Sequence, residues 1–105
     1  MSEAPALAEL RDRMDVATGS DRALDSAIAD AFERPERDYT ASVDRCIDLL
    51  HEVLPGWSWH VGWNATGVLP YASLHRDHER IETAAPTVPL ALLRGIVRAK
   101  LAATS

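Results

Sequence analysis

Apolar positions along this chain follow two periods, and the change between them falls at residue 57. Leu7, Leu10 and Met14 recur at helical spacing with Arg11, Asp12, Arg13 and Asp15 between them, which predicts a helix over 5–17. Pro5 suits a first turn, where its missing N–H has no partner to lose. Thr18-Gly19-Ser20-Asp21 then stops that helix and caps a second one over 21–33, whose stripe is Leu24, Ile28 and Phe32, widened by Ala27 and Ala31. Pro35 closes it. A third helix, capped by Thr40 or Ser42, places Val43, Cys46, Ile47, Leu50, Val53 and Leu54 on one face, and Pro55-Gly56 ends it.

From residue 57 the period is two. Trp57, Trp59, Val61 and Trp63 alternate with polar residues or glycine and predict a half-buried strand. Asn64-Ala65-Thr66-Gly67 has the length of a hairpin turn. A second strand follows over 68–75, where Pro70 suggests an edge or a bulge. A turn at Arg76-Asp77-His78 leads to a short third strand over 80–84. The helical period returns over 86–102, with Leu90, Leu93, Val97 and Leu101 inward and Leu92 and Ile96 beside them. The expected architecture is α+β: a small antiparallel sheet of two to three strands packed with amphipathic helices, in the order α-α-α-β-β-(β)-α. The 105 residues suit a single domain, with residues 1–19 as an appended N-terminal helix.

The tryptophan row is the most unusual feature. A one-sided row of aromatic rings is able to stack bases, sugars or peptides. The third and last helices must bury their stripes, however, so the row is expected to be core beneath them.

Charge sharpens the picture. The formal net charge is −5, yet residues 86–105 hold Arg94, Arg98 and Lys100 with no acid, so residues 1–85 carry −8. An acidic body argues against a general nucleic-acid binder, which needs cations to displace phosphate counterions. The start of the chain has no basic segment followed by an apolar one, and no apolar run reaches bilayer length, so a cytoplasmic protein with no membrane partner is expected. The lone Cys46 fits a reducing compartment and reads as a small buried hydrophobe.

Candidate chemistry is sparse. Ser58 and His60 share one strand face, near Asp77 or Glu79, but no strained nucleophile turn surrounds the serine. His75, Asp77, His78 and Glu79 form a turn of metal-capable side chains short of a zinc ligand set. The glycines do not form a phosphate loop. No cofactor is expected.

Three blocks carry a family resemblance: Tyr39-Thr40-Ala41-Ser42-Val43-Asp44, Leu54-Pro55-Gly56-Trp57, and Ala84-Ala85-Pro86-Thr87-Val88-Pro89-Leu90-Ala91-Leu92. In order and spacing, across residues 24–102, they resemble the phage ABA-sandwich domain family of short phage and prophage proteins. Pro89 stands one place later than the family's proline, and Leu93 stands where the family has cysteine. The resemblance implies a phage or prophage origin inside a host cell and carries no catalytic residues.

Together these readings point to a non-enzymatic accessory protein that binds a host or phage protein, an inhibitor of a host defence complex being one form. Arg94, Arg98, Lys100, Asp44 and Asp48 are its candidate contact residues. The alternative is an RNA- or single-stranded-DNA-binding module. Helix-strand-strand-strand-helix is similar to the order of double-stranded RNA-binding domains, but the last helix here opens on Thr87-Val88-Pro89-Leu90, without the lysines that grip phosphates.

Overall fold

A computed structural model describes residues 4–104. It contains α1 (Ala4–Val16), α2 (Arg22–Phe32), a 3₁₀ turn (Tyr39–Ala41), α3 (Val43–Val53), β1 (Ser58–Trp63), β2 (Pro70–Arg76), β3 (Glu79–Ala84) and α4 (Val88–Thr104). The fold is α+β with three strands, the short third strand included.

The local causes follow the sequence closely. Asp21 caps α2 by accepting from the Ala23 and Leu24 amides, and Ser42 caps α3 by accepting from Arg45 N. Thr40 lies in the 3₁₀ turn instead of capping α3. Gly56, at φ 88°, turns the chain out of α3 toward the sheet.

The sheet runs β1-β2-β3 with both pairings antiparallel. The second strand is therefore central, where Pro70 had suggested an edge or a bulge. Pro70 is tolerated because it opens the strand, opposite Trp63, and its carbonyl still accepts from the Ala85 amide at 3.2 Å.

The register places Trp59, Leu74 and Ile81 on one face with Val61, Ala72 and Thr83. That face meets α4, which packs on β2 and β3 and touches β1 only slightly. Gly95 allows the close approach: a Cβ there would lie 3.1 Å from Leu74 Cδ1. The buried Thr83 hydroxyl donates to the Ala91 carbonyl at 2.7 Å and pins helix to strand.

α4 is the centre of the molecule. Leu90, Ala91, Leu92, Leu93, Ile96, Val97 and Ala99 are all buried, because α1 and α3 pack on the sides the sheet leaves open. α1 contributes Leu7, Leu10 and Met14 to this core and packs on α4.

Candidate functional site

The expectation that the tryptophan row is core holds for Trp57 and fails for two of its companions. Trp57 is 6% exposed and lies under the Arg76 guanidinium, 5.2 Å from its ring centroid. Trp59 is 37% exposed and Trp63 61% exposed. Both point to the helix-covered face, as the alternation requires, but β1 is an edge strand and α4 is centred over β2 and β3. The helix layer is too narrow to reach them. Val68 and Leu69, in the turn that follows, are also exposed, at 69% and 39%. One margin of the molecule is thus an apolar ribbon running from Trp59 to Leu69.

The phase of the backbone at this margin is fixed by one bond. Asn64 N donates to the Leu69 carbonyl, so residue 64 and, by alternation, residues 62, 60 and 58 direct their N–H and C=O groups toward β2. Trp59, Val61 and Trp63 then direct theirs away from the sheet, to the open edge. Trp59 and Trp63, whose indoles are bare, are thus also residues with outward-directed ladder groups.

The other face of the sheet is turned to solvent. It carries Ser58 and His60 from β1, Tyr71, Ser73 and His75 from β2, and Arg80 and Glu82 from β3. The Tyr71 ring crosses over Gly62, whose Cβ would meet its Cε1 at 3.1 Å, and its hydroxyl lies 3.1 Å from His60 Nε2. Ser73 accepts from Arg80 Nε at 3.2 Å, and Arg80 pairs with Glu82 at 3.1 Å. His60 therefore has a phenol as its hydrogen-bond partner, and Glu79 is engaged by Arg76 at 3.1 Å. Asp77, at φ 54°, and His78 form the turn between β2 and β3. Among the described residues no three of His, Cys, Asp and Glu gather in a way that could hold a metal ion.

The candidate contact residues fall into two groups. Arg94 turns inward: its Nε donates to the Met14 carbonyl, its Nη1 to that of Ala84, and its Nη2 to those of Asp15 and Ala17. Arg98 pairs with Asp15 at 2.9 Å, and Lys100 is half-buried. Asp44 is exposed on the first turn of α3, and Asp48 lies 3.9 Å from Arg45 beside Tyr39 and Glu52. The structure does not bring these five together.

Cys46 is fully buried, and its thiol donates to the Tyr39 carbonyl at 3.0 Å. Burial pushes the thiol pKa far above its ordinary value, with the charges of Asp25 and Asp38 adding to the effect. Burial also raises the Tyr39 phenol, whose hydroxyl donates to the Pro35 carbonyl. Both groups are held neutral and serve packing.

No family model, curated protein or solved structure matches this chain. No described helix is long and apolar enough to cross a membrane.

Proposed function

We propose that this chain is a non-enzymatic, phage- or prophage-encoded accessory protein that acts by binding other protein chains, one concrete form being an inhibitor of a host defence complex. The observation that carries the reading is the exposure of Trp59 and Trp63 on a strand with a free backbone edge. Aromatic side chains left in water beside unpaired ladder groups cost stability, and protein contacts draw on both. The three sequence blocks that resemble the phage ABA-sandwich domain family support the phage assignment. The acidic balance of −5 suits a surface that competes for a site meant for nucleic acid.

A nucleic-acid module has less support. Arg94 is committed to carbonyls, Arg98 to Asp15, and the first turn of α4 (Val88, Pro89, Leu90) carries no cation.

Affinity capture from a bacterial host lysate tests the reading. A specific protein should be retained by the wild type and lost with Trp63→Lys, while Val16→Lys, an exposed apolar site on α1, retains it. Capture of nothing specific, or equal capture by Trp63→Lys, overturns it.

A further inference from the structure

We infer that the occupant of the β1 edge is a second copy of this chain, paired antiparallel through β1 with Val61 on the two-fold axis, so that two three-stranded sheets become one. This deepens the docking reading and rests on its assignment of β1 as the contact ribbon. Of three observations, the symmetry and the charge of the edge favour a second copy over an unrelated strand, and the backbone phase admits it.

The first is symmetry. A closed dimer needs a surface complementary to itself. Trp59-His60-Val61-Gly62-Trp63 has its large apolar residues two positions to either side of Val61. With the axis at Val61, Trp59 of one copy stands opposite Trp63 of the other on the same face, at cross-strand contact distance. Each indole exposed in the monomer meets the other, beyond the reach of α4.

The second is the backbone. The outward-directed groups are those of Trp59, Val61 and Trp63, as the Asn64–Leu69 bond requires. In an antiparallel pair centred on Val61, Val61 faces itself and Trp59 faces Trp63, both as pairs that exchange two hydrogen bonds. Every outward N–H and C=O of these three residues gains a partner. Slipping the pairing by one residue, so that Val61 faces Gly62, would set outward-directed groups against inward-directed ones and satisfy none.

The third is the contrast between the two edges. Of the outward positions of β3, two hold the charged Arg80 and Glu82 and the third, Ala84, has its carbonyl taken by Arg94; charge is how natural sheets block strand addition. Residues 57–69 contain no Asp, Glu, Lys or Arg. A ribbon with no charge in a chain of net −5 offers no electrostatic code for a foreign partner, and it is where two like-charged copies repel least. The two indoles leave on the order of 200 Å² of surface in water, which with strand pairing supports a weak dimer short of a standard-size interface.

Sedimentation equilibrium of the purified full chain, from micromolar to near-millimolar concentration, tests the pairing. The wild type should pass from the 11.5 kDa monomer to twice that mass. Added salt should favour the dimer by screening its like charges. Trp63→Lys and Val61→Pro should each raise the dissociation constant about tenfold or more, the proline because it removes an outward N–H while sparing the β1–β2 ladder. Circular dichroism confirms that each variant is folded, and Trp63→Lys, at an exposed site, serves if Val61→Pro is not. Val16→Lys should dimerise as the wild type does. A wild type that stays monomeric throughout, or a folded Trp63→Lys that dimerises normally, overturns the inference. A monomeric wild type whose lysate capture still depends on Trp63 sinks this pairing and leaves the docking reading standing. A dimer that captures nothing does the reverse.

Discussion

Arg94 Nε donates to the main-chain carbonyl of Met14 at 3.0 Å, joining the fourth helix to the end of the first across eighty residues of sequence. The last carbonyls of a helix lack their i+4 amide partners, and here one guanidinium serves Asp15 and Ala17, adds a second bond to Met14, which also accepts from the Ala17 amide, and reaches Ala84. Arg94→Met keeps the aliphatic stem and removes all of these donors. It should destabilise the fold by about 2–3 kcal/mol, and amide exchange should accelerate first in α1. Arg94→Lys should recover only part of the loss, since an ammonium cannot fork to four carbonyls. Unchanged α1 protection in Arg94→Met would show that burial of Leu7, Leu10 and Met14 alone holds the helix.

The second tie is a buried relay at the start of α2. Asp21 N donates to Thr40 Oγ1 at 2.8 Å, and Thr40 Oγ1 and N both donate to Asp25 Oδ1 at 2.8 Å. Asp25→Ala leaves the Thr40 amide buried without its acceptor and the hydroxyl with only the Asp21 carbonyl at 3.3 Å, and should cost about 2–4 kcal/mol. Thr40→Val should cost less in the Asp25→Ala background than in the wild type, with a coupling of about 1–3 kcal/mol by chemical denaturation. Simple additivity would mean that water replaces the carboxylate.

How much of this was legible depends on whether the cause is local. The stripes Leu24–Ile28–Phe32 and Cys46–Leu50–Leu54 are functions of spacing, and the elements formed where the spacing put them. The face of Trp59 and Trp63 was legible for the same reason. Their exposure was not, because alternation says which way a side chain points and nothing about how far a helix extends over it. The position of β2 at the centre is a pairing property, and Pro70 misled because a proline at the first residue of a central strand forfeits only one bond, at the end of the ladder. Arg94 reads in sequence as a surface cation near a helix end. Only the packing of α1 against α4 turns it into a cap. The one hint available for the edge was the absence of charge across 57–69, set against Arg80 and Glu82 in β3.

Alkaline pH should reveal the buried thiol. Cys46 has an ordinary value of 9.0, and burial raises it in the folded chain. Below that value both states hold the proton and the thiol contributes no pH dependence. Above it the unfolded chain releases a proton that the folded chain retains, so stability falls as pH rises, by about 1.4 kcal/mol per unit. Tyr39, raised from 10.0 by burial first and by Glu52 second, adds to the decline at higher pH. Urea denaturation from about pH 8 to about pH 10.5 measures the slope. In Cys46→Ala the decline should begin only where tyrosine ionises. An unchanged profile in that variant would place the sensitivity elsewhere.

Gly95 offers the sharpest test of how closely α4 sits on the sheet. In a solvated helix, Gly→Ala stabilises by roughly 1 kcal/mol, because glycine loses more freedom on folding. Here the added Cβ would lie 3.1 Å from Leu74 Cδ1, 3.2 Å from its Cγ and 3.4 Å from Thr83 Oγ1. Leu74 is fully buried, and the Thr83 hydroxyl is held by the Ala91 carbonyl, so neither has room to withdraw. Overpacking, at about 1–3 kcal/mol, should exceed the propensity gain, and Gly95→Ala should lower the thermal midpoint. Leu74→Ala opens that space, so in its background the sign should reverse and Gly95→Ala should stabilise. Thermal melts of the two single variants and the double variant decide the matter. If Gly95→Ala stabilises the otherwise unaltered protein, α4 is able to lift from β2 without loss, and the tight helix–sheet contact inferred from Gly95 and Thr83 does not govern stability.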